Sequence, residues 1–156
     1  LNGDDKNARE KVMMGSTLAG MAFSNASVAL VHGMSRPIGA NYHVPHGLSN
    51  AMLLPTVTNF SISGASSKYA YCAKIMGIAN YNDNEDASNQ KLIDELYSLN
   101  LDLKVPTPEQ YGINKEDFLS KLDILAKQAL ASGSPSNNPI IPSHNEIKEL
   151  YLELWS

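Results

Sequence analysis

Three of the chain's four histidines lie close together in a segment that is otherwise apolar and rich in small residues. They are His32, His43 and His46, within residues 20–55. A neutral imidazole is a common ligand of transition metals, and apolar surroundings keep water away from a reacting group. The pattern therefore favours a metal site beside a pocket that excludes water.

The candidate metal ligands are His32 and His46, which are 14 positions apart. We expect His32 near the end of a long first helix and His46 at the start of the next, so that a helix–loop–helix hairpin brings both rings to one point. Gly33, Gly39 and Gly47 would leave room for a ligand near the backbone. Two histidines do not complete a site, because iron or zinc normally takes about three or four protein ligands.

The same residues also allow other interpretations. His32 could be a core histidine with satisfied hydrogen bonds, and His46 a helix-start residue without further function. His43 could be a third ligand, and His32, His43 and His46 would then form a self-contained, non-enzymatic helical metal-binding domain. We expect His144, in a capping position, to lie on the surface.

Composition and charge restrict the remaining functions. A chain of 156 residues with 43% hydrophobic residues suits one globular domain. Its net charge of −4 and scattered lysines predict no nucleic-acid partner. No apolar run approaches ~18 residues, so we expect no membrane association. The single cysteine, Cys72, favours a reducing, cytoplasmic location, and the absence of methionine at Leu1 suggests a chain cut from a longer protein.

The elements that must position the histidines are predicted to be helices. Asp4 or Asp5 caps a first helix that runs to about residue 34 and is apolar enough to belong in the core. Arg36 and Pro37 should end it and open a loop. Pro45 then begins a second helix, which Pro55 should kink or end.

The rest of the sequence has conventional helix signals. Helices are predicted over about 66–76 and from 86 or 88 to the prolines at 106–108, with a single turn at 108–112. Asn114 should cap a helix to residue 131, and Ser143 with Glu146 resembles a capping box that begins the last one. We find no convincing strand and no repeat. The prediction is one all-α, bundle-like domain over residues 1–156.

One long segment resembles a known family. Residues 19–55, AGMAFSNASVALVHGMSRPIGANYHVPHGLSNAMLLP, are similar to the signature region of the iron-containing (group III) alcohol dehydrogenases. Residues 2–9, NGDDKNAR, and the tail SGSPSNNPIIP at 132–142 resemble the same family. The likeness is densest over residues 2–56 and looser beyond them.

This resemblance implies a dehydroquinate-synthase-like C-terminal helical domain, which in the family follows an N-terminal dinucleotide-binding domain. The family's metal, Fe²⁺ or alternatively Zn²⁺, is held by one aspartate and three histidines in the cleft between the domains. Two of those histidines match His32 and His46. The others, and the loop that binds NAD or NADP, lie in an upstream region that this chain lacks.

The implied reaction is the interconversion of an alcohol with an aldehyde or ketone, with hydride transfer to or from the nicotinamide. We expect the isolated chain to be inactive, and expect its partners to be the missing N-terminal domain, the small-molecule substrate and further copies of the chain in a homo-oligomer. A zinc-dependent, glycerol-dehydrogenase-like relative is the enzymatic alternative.

Two further residues are predicted to line the cleft. Arg36 stands where many members of the family have a histidine, and an arginine cannot relay protons near neutrality. It could instead bind a carboxylate or phosphate of the substrate, or satisfy carbonyl groups at a helix end. His43 could take part in proton transfer. Phe23, Met34 and Leu48 are candidates for the apolar wall of the site.

Overall fold

A computed structural model describes residues 2–155 of the chain. Within this range every regular element is helical, which confirms the all-α prediction. The α-helices are α1 (Lys6–Ala26), α2 (Leu30–Tyr42), α3 (His46–Ile62), α4 (Ser66–Ile75), α5 (Glu85–Asp102), α6 (Pro108–Tyr111), α7 (Lys115–Ala131) and α8 (His144–Glu153). A short 3₁₀ helix, Ser134–Asn137, joins α7 to α8.

Side-chain caps begin several helices as the sequence predicts. Asp5 accepts a hydrogen bond from the backbone of residue 8, and Asn114 accepts one from the backbone of residue 117. Ser143 and Glu146 form the predicted capping box at α8. These polar groups satisfy backbone N–H groups that have no partner within the helix, and so determine where each helix starts.

The main core lies between α2, α3, α7 and α8. Its centre is Phe118 of α7, whose ring contacts three other aromatic rings at centroid distances of 5.2–5.8 Å: those of Tyr42, Tyr151 and Trp155. Aromatic side chains bury large apolar areas, so this cluster stabilises the packing of α2 against the C-terminal helices. A smaller cluster around Ala73 and Leu92 joins α4 to α5.

The first helix differs from the prediction in length and in burial. It ends at Ala26 rather than near residue 34, because the next residue, Ser27, leaves the helical conformation with φ 64° and ψ −178°. No residue of α1 is buried. Six large apolar side chains on it are more than half exposed: Val12, Met13, Met14, Leu18, Met21 and Phe23. The apolar composition was correctly recognised, but nothing among the described residues covers it.

Neither internal proline ends its helix, so the predicted loop beginning at Arg36 is wrong. Pro37 lies inside α2, which continues to Tyr42, and Pro55 lies inside α3, which continues to residue 62. Both prolines are buried. A proline inside a helix costs about 3 kcal/mol, and here the burial of the surrounding turns in the main core offsets that cost.

No single helix in residues 2–155 is long and apolar enough to cross a membrane. α1 and α2 meet the length and composition requirement only when taken together, and the chain bends by 105° between them.

Candidate metal and substrate site

The imidazole rings of His32 and His46 converge, with their centroids 5.1 Å apart and their planes inclined by 57°. His32 lies in the first turn of α2, and His46 is the first residue of α3. We expected His32 near the end of a long first helix, and this expectation is wrong because His32 lies near the start of α2. The rings approach each other because α2 packs against α3, where the Ser49 hydroxyl lies 3.4 Å from the backbone carbonyl of Ser35.

This geometry fits a shared metal ion. Zinc–imidazole bonds are about 2.0–2.1 Å long, so rings with this centroid separation can each direct one nitrogen at the same ion. His32 is half-buried and His46 is exposed, which leaves one side of the pair accessible. As the structural alternative expected, His46 begins a helix, but its ring lies against that of His32 rather than apart from it.

The electrostatic surroundings keep His32 in the form that binds metals. Burial lowers the pKa of His32 below its usual value, and the nearby positive charges of His46 and Arg36 lower it further. A neutral imidazole has a free lone pair for coordination, whereas the protonated ring has none.

An open, mainly apolar groove of about 520 Å³ lies beside His32. Among its lining residues are Phe23 at the end of α1, Val28 in the break after it, and Leu54 of α3. Of the three residues predicted to form an apolar wall, Phe23 lines this groove. Met34 is instead fully buried in the main core, and Leu48 packs against that core.

Arg36 is exposed in the middle of α2, one turn after His32, and its guanidinium donates to the Ser134 hydroxyl at 3.3 Å. The alternative role as a helix-end cation is therefore wrong, since α2 continues for six more residues. Its charge is close enough to lower the pKa of His32, so Arg36 belongs to the electrostatic environment of the histidine pair.

His43 is not part of the converging pair. It is exposed, ends α2 in a left-handed conformation with φ 55°, and accepts a hydrogen bond from the Tyr111 hydroxyl through its backbone carbonyl. Across residues 2–155, no group of three histidine, cysteine or acidic side chains is placed to hold a metal ion. The self-contained site formed by His32, His43 and His46 therefore does not form.

The fourth histidine and the C-terminal loop have structural roles. His144 begins α8 and lies 3.3 Å from the carboxylate of Asp123, with its side chain partly accessible. In the loop that resembles the family's tail, the Asn138 amide donates to the Ser61 hydroxyl and to a backbone carbonyl at residue 140. This buried contact packs the loop against α3.

Asn50 belongs to the site, although the sequence analysis did not single it out. It lies one helical turn after His46 on α3, and its amide nitrogen is 3.0 Å from the imidazole Nε2. Residues four positions apart on a helix are neighbours, so this spacing was the signal that could have identified it.

Comparison with known proteins places this geometry in a family. The C-terminal model of the Fe-containing alcohol dehydrogenase family matches residues 1–155. The NADPH-dependent butanol dehydrogenase of Clostridium saccharobutylicum is 36% identical over 148 residues, and the lactaldehyde reductase of Escherichia coli is 35% identical over 152 residues. These matches cover 94% and 97% of the chain, but only 38% and 39% of the relatives.

Solved structures show the same relationship. A 1,3-propanediol oxidoreductase superposes with a TM-score of 0.90 at 30% identity, covering 97% of this chain and 39% of that protein. The iron-containing alcohol dehydrogenase of Thermococcus thioreducens gives 0.84 at 35% identity. The chain thus spans about two fifths of the length of these proteins and matches them over nearly all of its own. It belongs to the Fe-containing alcohol dehydrogenase family and corresponds to the C-terminal part of the family's proteins.

Proposed function

We propose that the chain forms the metal- and substrate-binding part of an NAD(P)-linked alcohol dehydrogenase. The observation that carries the proposal is the 5.1 Å separation of the His32 and His46 rings. Family membership and the alcohol- and aldehyde-converting relatives support the same conclusion. The reaction would oxidise an alcohol, or reduce an aldehyde or ketone, with hydride transfer between the substrate carbon and the nicotinamide.

In this proposal His32 and His46 supply two neutral ligands, and the remaining ligands come from polypeptide outside this chain. The ion is Fe²⁺, with Zn²⁺ as the alternative that a glycerol-dehydrogenase-like relative would use. When bound, such an ion acts as a Lewis acid on the substrate oxygen. A separate dinucleotide-binding domain would hold most of the NAD or NADP.

The groove beside His32 would take the carbon chain of the substrate and exclude water from it. Its apolar lining suits the aliphatic part of an alcohol or aldehyde. His43, whose side chain is exposed, would take part in proton transfer if a neighbouring domain completes the cleft around it.

Arg36 would favour substrates that carry a carboxylate, because its guanidinium is exposed near His32 and always charged. In the assembled enzyme, Arg36→Ala should reduce kcat/KM for a carboxylated substrate more than for a neutral one, whereas Arg36→Lys retains part of the preference. An unchanged ratio between the two substrates in Arg36→Ala would exclude this role.

We further propose that the enzyme is a cytoplasmic homo-oligomer. The cysteine, Cys72, is free and exposed, which suits a reducing compartment. The apolar side chains along α1 provide a surface that a neighbouring domain or subunit would cover.

The proposal is tested by joining this chain to the upstream part of a relative. In the lactaldehyde reductase of E. coli, the matching C-terminal portion is replaced by this chain, and alcohol-dependent reduction of NAD⁺ and NADP⁺ is measured after loading with Fe²⁺ or Zn²⁺. We expect metal-dependent activity in the chimera and none in the isolated chain. Activity should be lost in His32→Ala and His46→Ala and retained in His144→Ala. Clear turnover by the isolated chain, or full activity in either site variant, would refute the proposal.

A further inference from the structure

Asn50 makes two hydrogen bonds with one amide nitrogen. Its Nδ2 atom is 3.0 Å from the Nε2 atom of His46 and also 3.0 Å from the backbone carbonyl oxygen of His46. A carbonyl oxygen can only accept a hydrogen bond, so the end of the amide that faces it must be the NH₂ group. This group has a second hydrogen, which is available to the imidazole.

The position of this donor determines which ring nitrogen of neutral His46 carries the proton. In a neutral imidazole one nitrogen is protonated and the other accepts. Because Nε2 of His46 lies against the NH₂ group of Asn50, Nε2 accepts and the proton is on Nδ1. A metal ion also needs an unprotonated nitrogen, so this is the tautomer in which Nε2 is ready to coordinate.

The amide has few other constraints. Asn50 is half-buried, and its Oδ1 atom is buried without a hydrogen-bond partner within the described range. The two bonds of Nδ2 are therefore the interactions that orient the amide. Asn50 and His32 line the same groove, so the Asn50–His46 contact lies next to the other candidate ligand.

We propose that Asn50 is a positioning residue that holds His46 in the Nδ1–H tautomer, in which Nε2 carries the lone pair that a metal ion would need. The relevance of this role to metal binding rests on the proposed function. A cation that binds Nε2 would take the place of the hydrogen bond from Asn50, so the amide would turn away from the ring when the ion binds.

The test is the tautomer of His46 in the metal-free chain. Long-range ¹H–¹⁵N correlation spectra of histidine-labelled protein distinguish the two forms, at a pH well above the usual histidine pKa of about 6.5. His46→Ala assigns the signals. We expect mainly the Nδ1–H form in the unmodified chain. The ratio of Nδ1–H to Nε2–H should fall about five- to tenfold in Asn50→Ala, which is the effect of losing one neutral hydrogen bond.

Asn50→Asp gives the sharpest comparison, because it has nearly the same shape but replaces the NH₂ donor by an acceptor. We expect the Nε2–H form to predominate in this variant. Asn59→Ala is the matched control, since Asn59 is exposed on the same helix. It should leave the tautomer of His46 unchanged.

A predominantly Nε2–H ring in the unmodified chain would overturn the proposal, and this spectrum decides the matter even if a variant does not fold. An unchanged ratio in both folded Asn50 variants would also overturn it. Neither result depends on a metal, so failure of this inference is distinguishable from failure of the proposed function, which depends on metal binding and activity in the chimera.

Discussion

The hydroxyl group of Tyr151 donates a 2.7 Å hydrogen bond to the backbone carbonyl of Met34, and both residues are fully buried. The bond joins α8 to the turn of α2 that precedes Pro37. Burial raises the pKa of Tyr151, so its hydroxyl remains a donor over the ordinary pH range. The contact stabilises the helix that carries His32.

Tyr151→Phe should therefore lower the free energy of unfolding by about 1–3 kcal/mol, because it leaves a buried carbonyl without this partner. Urea denaturation measures the change. Tyr71→Phe is the control, since Tyr71 is exposed and should shift stability by less than about 0.5 kcal/mol. Equal small effects in the two variants would show that the bond does not support α2.

The position next to His32 is closely packed against the 3₁₀ helix. A Cβ atom on Gly33 would lie 2.9 Å from two side-chain atoms of Pro135, so Gly33→Ala should push α2 away from the 3₁₀ helix and cost about 1–3 kcal/mol. Gly47→Ala is the matched control, because a Cβ there meets nothing within 4 Å and alanine favours helix by about 0.5–1 kcal/mol. In thermal unfolding, the midpoint temperature should fall for Gly33→Ala and should not fall for Gly47→Ala. Gly33→Ala with unchanged stability would contradict the close packing of these elements.

The exposed apolar face of α1 predicts that the isolated chain self-associates. Met14, Leu18 and Met21 are more than half exposed at helical spacing. Replacing all three by glutamate should make the chain monomeric in sedimentation velocity, at concentrations where the unmodified chain forms larger species. Ile141→Glu alters an exposed apolar residue elsewhere and should leave the association intact. A monomeric unmodified chain would exclude this role of α1.

The lowered pKa of His32 predicts a pH dependence of stability. The unfolded chain binds a proton at this histidine near pH 6.5, whereas the folded chain binds it only at lower pH. Between the two values the unfolded state holds more protons, so stability decreases as the pH falls below about 6.5 and is fully present above it. Urea denaturation of the metal-free chain should show this loss, and His32→Gln should show less of it. If the free energy of unfolding of the unmodified chain and of His32→Gln changed with pH in the same way, the prediction would be contradicted.

Local signals predicted the helices well, because capping depends on neighbouring residues. Asn114 and Ser143 begin their helices as expected, since each cap bonds to a backbone N–H three positions away. Pro37 and Pro55 were misleading because burial in the main core keeps them inside helices. The break at Ser27 carries no glycine or proline, and this explains why it was missed.

The site was predictable where it depends on residue type and not where it depends on packing. The sequence indicated that His32 and His46 meet, but their approach results from contact between α2 and α3 rather than from a hairpin end. The sequence allowed His43 as a third ligand, yet it ends a helix and its side chain is exposed.

The most direct test of the central claim is an anomalous difference map, recorded at the iron edge, from crystals of the chimera loaded with Fe²⁺. The account predicts one strong peak within bonding distance of an imidazole nitrogen of both His32 and His46, with further ligands from the upstream domain. A peak elsewhere, or one that contacts neither ring, would contradict the assignment of this histidine pair as metal ligands.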